Sequence, residues 1–217
     1  MLGVPLGFLT VDSGLLAFIG ISALLAVTPG PDMAVVTKNA LAHGRRGVVL
    51  TTTGIALALA VWTITTAVGL SALLRASGEP LFLLKLVGAA YLAYLGVRTL
   101  IESRHHPADM MAAVPVPAPA HAIFRQGFIS ALSNPKLGVF FVTFLPQFVF
   151  PGQPVLPRLL LLGIVFAVIG WTWMNVYGLL VTRLRDVITA PRVRQWMERV
   201  TGVVLLGFGA RLAVERL

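Results

Sequence analysis

The sequence predicts an all-α membrane protein: six transmembrane helices in two inverted three-helix repeats, with the first and fourth helices broken in mid-span. Three observations predict it. The 217 residues are 57% hydrophobic and 12% charged, with mean hydropathy +0.89, far from the balance of a soluble domain. Apolar stretches of about 20 residues, enough to cross a hydrocarbon core about 30 Å thick, recur along the chain. A polar, proline-rich segment divides them into two sets of three, and an odd number of crossings makes the second set enter the membrane in the opposite sense.

The first span runs from Gly14 to Val36 and is interrupted by Thr28-Pro29-Gly30-Pro31-Asp32. Proline removes a backbone donor and disfavours helical geometry at the residue before it, so Thr28 and Gly30 are pushed off the regular helix. The second span runs from Val48 to Leu74 and the third from Pro80 to Ile101. In the third, Gly88, Ala89, Ala93 and Gly96 permit close helix packing, and Lys85 near the outer end either snorkels to the headgroups or faces a cavity. Residues 102–122 carry His105, His106, Pro107, Pro115, Pro117 and Pro119 without apolar periodicity and read as a cytoplasmic linker. The fourth span, Ile123 to Phe150, is broken at Ser133-Asn134-Pro135-Lys136. The fifth runs from Leu156 to Val181, and the sixth from Val200 to Val214 with Trp196 as an interfacial anchor.

The repeats are thus residues 1–101 and 123–217. Ile21-Ser22-Ala23-Leu24 shortly before the first break and Ile129-Ser130-Ala131-Leu132 directly before the second add a faint internal similarity. Orientation follows from the basic residues. Lys38, Arg45 and Arg46, then Arg98, Arg104 and Arg125, then Arg183, Arg185, Arg192, Arg194 and Arg199 occupy three connections on one side. The other side holds Arg75, Arg158, Arg211 and Arg216, so the richer loops are cytoplasmic and both termini face outward.

Several function classes drop out. The net charge of +9 sits in short loops rather than on a folded basic face, which argues against nucleic acid. Without cysteine there are no disulfides, thiolate metal sites or dithiol chemistry. His105-His106 lacks further ligands at motif spacing, so no metal and no other cofactor is expected. No Ser/His/Asp geometry is readable, and no catalytic residue is assigned. The first ten residues lack the basic start and cleavage site of a signal peptide.

The two breaks carry the chemistry. A charge in the hydrocarbon core costs about 2.5–3.5 kcal/mol on insertion scales, so Asp32 and Lys136 mark a functional site by default. With the first helix ending near Leu41 and the fourth starting near Phe124, they lie about 14 Å and about 18 Å from the cytoplasmic side, close to the midplane. Either they clamp the ammonium and carboxylate of a zwitterion or carry protons, or they neutralise each other. Carbonyls freed one turn before the prolines, with Leu24, Leu25, Val27, Ser130 and Ala131 as candidates, are available to a cation or a substrate ammonium. Asn175, Tyr177 and Gln147 read as interhelical glue.

The first break, the Lys85–Gly96 stretch, and Ser133-Asn134-Pro135-Lys136 followed by Phe144-Leu145-Pro146-Gln147-Phe148 together resemble the LysE-type amino acid exporters, especially the homoserine/threonine (RhtB-like) branch. The resemblance implies a six-helix bacterial inner-membrane exporter of amino acids or close derivatives, driven by protons. Position by position it points to Pro29, Gly30, Pro31, Asp32, Asn134, Pro135 and Lys136, in agreement with the residues read directly. The substrate-binding or proton-coupling set is therefore Asp32, Lys136, Asn134, Thr28 and Gly30, with Pro29, Pro31 and Pro135 as helix breaks. The expected partners are membrane lipid, an amino acid and protons, and the small-residue faces suit a homodimer as well as internal packing. A passive channel, an exporter of another small solute and a membrane-embedded enzyme are the alternatives.

Overall fold

The computed structural model describes residues 13–76, 118–150 and 152–184, together with single helical positions between 90 and 101 and between 192 and 207. The Lys85–Gly96 stretch apart from Ala90 and Tyr94, the linker up to residue 117, and most of the third and sixth spans lie outside the described residues. Every regular element among the described residues is helical.

Helix α1, Ser13–Val27, stops where Pro29 withdraws its N–H. The Thr28 N–H still reaches the Leu24 and Leu25 carbonyls at 3.2 and 3.3 Å, and its hydroxyl adds a bond to Leu24 at 3.0 Å. Helix α2, Pro31–Ala76, restarts with proline at its first position, where the missing donor has no intrahelical partner to lose, and with Asp32 in its first turn. Inside α2, Gly44 takes φ 57° and ψ −145°, and folds the helix into two arms. The Asn39 side-chain amide reaches the Thr51 hydroxyl at 2.9 Å, a contact that a straight helix, with those residues about 18 Å apart along its axis, cannot make. The first span thus runs on past Val36 to the Gly44 turn before the second begins.

The second half repeats this pattern with a different cap. Helix α3, Ala120–Leu132, ends at Ser133, whose hydroxyl bonds back to the Ile129 carbonyl at 2.7 Å. Asn134 then caps helix α4, Pro135–Val139, by accepting the Lys136 N–H at 3.0 Å. The chain continues as one π turn, Phe140–Phe144, and a short 3-10 turn, Leu145–Phe148, which contains Pro146. The two limbs of this broken helix meet at 49°. Helix α5, Val155–Arg183, is uninterrupted over 29 residues.

The polarity of the molecule is that of a lipid-embedded protein. Leu16, Ile64, Val68, Ile164 and Val168 are more than half exposed, whereas Asp32, Asn39, Thr51, Thr52 and Asn134 are buried. By length and composition, Pro31–Ser71 and Val155–Arg183 are apolar enough to cross a membrane, and the bent pair Ala120–Leu132 with Pro135–Phe148 forms a third candidate. The Gly44 fold makes the first of these a helical hairpin rather than one long rod.

Glycines set the closest approaches. A Cβ on Gly54 would overlap the Phe124 carbonyl, and one on Gly127 would overlap the Thr51 carbonyl, so α2 and α3 cross backbone to backbone. At Gly178, α5 receives the methyls of Val36 and Val48 from both arms of α2. Phe140, Phe141, Phe144 and Phe148 pack with Phe18 and Phe166, which ties the second broken helix to α1 and α5.

Three glycine substitutions separate these roles. Gly127→Leu must push two backbones apart and lowers the detergent-state melting temperature, with an overpacking cost of about 1–3 kcal/mol or more. Gly20→Leu, where a Cβ meets nothing within 4 Å, leaves it unchanged. Gly44→Ala, at a backbone conformation that only glycine enters freely, costs about 1–3 kcal/mol by the same measurement.

Candidate functional site

The two breaks meet at the centre of the helix packing, and each supplies the other's charged residue with partners. The buried Asp32 carboxylate accepts from the Ser130 hydroxyl at 2.6 Å through Oδ1 and from the Asn134 amide at 2.7 Å through Oδ2. Lys136 reaches the opposite way: its ammonium donates to the Thr28 carbonyl at 3.2 Å and the Leu25 carbonyl at 3.4 Å. Asp32 and Lys136 thus hold the opposite break rather than forming a direct ion pair with each other.

The pattern follows from helix termini. Pro31 and Pro135 each occupy the first turn of a restarted helix, and Asp32 and Lys136 each follow directly. A carboxylate is favoured there by the helix dipole. An ammonium is not, but the long lysine stem carries it to the C-terminal carbonyls of α1, where a cation is favoured and acceptors lack helical donors. Asn134 serves both sides of the site, since its Oδ1 caps α4 and its Nδ2 is thereby turned toward Asp32. Gly30 lies against the lysine tip: a Cβ there would sit 3.4 Å from Nζ.

Beside the charged pair lies a cavity of about 30 Å³, room for a water or two, lined by Asp32 and Lys136 and by apolar side chains of α1, α2, α4 and α5. Trp62 on α2 stacks on Phe141 and donates to the Ala131 carbonyl at 3.3 Å, which ties α2 to the second break. Toward the Gly44 turn, a second polar set joins α2 to α3. The Gln126 side-chain oxygen accepts from Lys38 at 3.2 Å and from Asn39 at 3.3 Å. Beyond it, His43 Nε2 accepts the Ala118 N–H at 3.0 Å, fixing the end of the linker to the hairpin turn.

The structure brings together Thr28, Gly30, Asp32, Asn134 and Lys136, all singled out from sequence, with Pro29, Pro31 and Pro135 at the breaks. Of the carbonyls expected to be free, Leu25 serves Lys136, Leu24 is taken by Thr28, and Ala131 by Trp62. The Thr28 carbonyl was not among those candidates. Asn175 bonds Thr52 at 3.1 Å and Tyr177 bonds Thr37 at 2.8 Å, as interhelical glue should, while Gln147 bonds back to Thr143 within its own turn at 2.8 Å. Arg158, counted among the basic residues of the outer side, is fully buried in the first turn of α5, with its Nε donating to the Phe148 carbonyl at 3.3 Å. Sequence reasoning missed the side-chain roles of Ser130 and Gln126. The four-residue spacing of Gln126 and Ser130, which puts both on one face of α3, carried that signal.

Comparison with known proteins places this geometry in a family. The family model described as LysE type translocator matches residues 23–216. The chain is 28% identical to the uncharacterized membrane protein YrhP of Bacillus subtilis, over 93% of this chain and 99% of that protein. It is 30% identical to a homoserine/homoserine lactone efflux protein of Salmonella typhimurium, over 92% of this chain and 96% of the relative. A leucine efflux protein of Klebsiella pneumoniae is 28% identical, over 88% of this chain and 91% of its own. No solved structure matches. With the match running from within α1 to the penultimate residue, and with relatives covered almost end to end, the chain belongs to the LysE type translocator family.

Proposed function

We propose that this translocator exports amino acids or close derivatives across the bacterial plasma membrane, by proton-coupled alternating access at the Asp32/Lys136 centre. The carrying observation is the exchange of partners between the two breaks: a buried carboxylate and a half-buried ammonium, each satisfied by groups that a zwitterion can replace. The substrate carboxylate takes the Lys136 ammonium. Its ammonium takes the Leu25 and Thr28 carbonyls that Lys136 then leaves, with Asp32 alongside. Both substitutions exchange like for like, so no charge is left bare in the low-dielectric interior.

The described arrangement is the closed form of the site. A 30 Å³ space cannot hold an amino acid, so the residue 1–101 and 123–217 repeats, inverted about the membrane plane and joined by the 102–122 linker, must part to admit one. Parting breaks the bonds from α2 to α3 and to the cap of α4: Asp32 to Ser130 and Asn134, and Lys38 and Asn39 to Gln126. Six spans put the Gly44 turn on the cytoplasmic face and both termini outside, so the Gln126 contacts close the cytoplasmic entrance. A proton on Asp32 removes the negative charge that holds Ser130 and Asn134, which couples inward proton flow to opening. Moving one charge outward against 100 mV, inside negative, costs about 2.3 kcal/mol, so a cationic substrate requires this coupling and a zwitterion needs less.

Purified protein in liposomes loaded with radiolabelled amino acids tests this reading. Efflux is expected to saturate with concentration and to run uphill only under an imposed proton gradient. Unsaturable flux that ignores collapse of the gradient would establish a channel instead. Asp32→Asn is expected to flatten the pH dependence of efflux, and an unchanged pH profile would remove Asp32 from proton coupling. Asn134→Ala strips one donor from a buried carboxylate, a loss of about 1.5–3 kcal/mol, and is expected to slow efflux at least tenfold. Asn134→Asp, which keeps the cap but sets two carboxylates together, is expected to be at least as impaired in the same assay.

A further inference from the structure

The wall of the central cavity is one-sided in its chemistry. Besides Asp32 and Lys136, the described residues that line it are apolar: Ile55 and Leu59 from the second arm of α2, Leu137 from α4, and Phe166, Gly170 and Met174 from α5, closed off by Leu25 and Ala26 of α1. Of the polar groups that flank this stretch of α5, Asn175 is bonded to Thr52 and Tyr177 to Thr37, and the Thr63 hydroxyl is turned back onto the Leu59 carbonyl at 2.8 Å. The Trp173 Nε1, buried without a partner, belongs to the lining of a separate cavity against Ala23 and Val27 and is not part of this wall. A substrate hydroxyl, amide or charge placed against this wall would lose its water and find no partner, whereas an alkyl side chain gives up nothing by entering.

We propose that the substrate's side chain is aliphatic: the site accepts zwitterionic amino acids with alkyl side chains and discriminates against those of equal size that carry a hydroxyl or a charge. The inference rests on Asp32 and Lys136 binding the substrate's ammonium and carboxylate, and adds the class of side chain that those groups leave unspecified. Gly170 sets the depth available to it. A Cβ at that position would meet only the Leu59 Cδ1, at 3.5 Å, an ordinary contact, so a methyl there adds to the wall without displacing it. Long side chains then lose room that short ones do not use.

The test is competition between isosteric pairs in the reconstituted system: valine against threonine, and norvaline against homoserine. Each pair keeps volume and exchanges a methyl for a hydroxyl. The apolar member is expected to be favoured about 100-fold in kcat/KM, the discrimination that an apolar pocket makes against a hydroxyl isostere. Equal rates, or a preference for threonine and homoserine, would overturn the aliphatic assignment while leaving an amino acid exporter in place. Failure of all four and of every other amino acid offered would overturn the transport reading itself, and this inference with it. Gly170→Ala is expected to shift the leucine-to-valine ratio of kcat/KM toward valine by about tenfold, the value of one methylene in such a pocket. The ratio is insensitive to a uniform loss of folded protein. An unchanged ratio would take Gly170 out of the pocket wall.

Discussion

A buried carboxylate, Asp32, and a half-buried ammonium, Lys136, meet within this helical protein, and each needs partners from the protein. The structure meets that constraint by exchange. Asp32 is held by Ser130 and Asn134 at the second helix break, and Lys136 by the Leu25 and Thr28 carbonyls at the first. Each charge is therefore satisfied only when the two halves of the chain are together. Taking an ion out of water costs several kcal/mol even after relaxation, and hydrogen bonds to charged groups return about 1.5–3 kcal/mol each. The site thus couples the packing of α2 against α3 and α4 to the state of two side chains.

The breaks are what make this exchange available. A continuous helix consumes its own carbonyls and N–H groups and offers a neighbour only side chains. Pro29 ends α1 with carbonyls that have lost their proline-position donor and can still accept from Lys136, and Pro135 restarts the chain in the second half with Asn134 free to cap and to bridge. The same prolines that disturb the ladder place Asp32 and Lys136 at matching points, one residue into each restarted helix. A related economy appears toward the Gly44 turn, where one amide oxygen of Gln126 receives both Lys38 and Asn39. Asp32 and Asn39 lie two turns apart on α2, and Ser130 and Gln126 one turn apart on α3, so one helix–helix seam carries both polar contacts.

Around these polar groups the packing is tight and apolar. Glycines at 54 and 127 let the α2 and α3 backbones touch, and the phenylalanines of the turns that follow α4 fill the space between α1 and α5. In lipid, apolar burial does not by itself favour helix association, so such close contacts and the polar bonds between helices carry the cohesion. Homology to proteins described as homoserine and leucine efflux proteins extends over nearly the whole chain, and the family assignment rests on that extent rather than on one motif.

The helical membrane class was legible in the sequence, because hydrocarbon thickness dictates the length and polarity of a span whatever it packs against. So were the breaks and the residues at them, since proline and intramembrane charge are costly everywhere and stand out in an apolar run: Thr28, Gly30, Asp32, Asn134 and Lys136 all sit together. What sequence left undecided was who pairs with whom. Ion pair or clamp was an open choice for Asp32 and Lys136, and the structure shows a third arrangement in which each binds the other's break. Ser130 stood out only for its backbone carbonyl and Gln126 not at all, and Arg158 counted only as a basic residue of the outer side. Those outcomes depend on how helices cross and how far side chains reach, a matter of distances across the chain, whereas composition and period report only on neighbours along it.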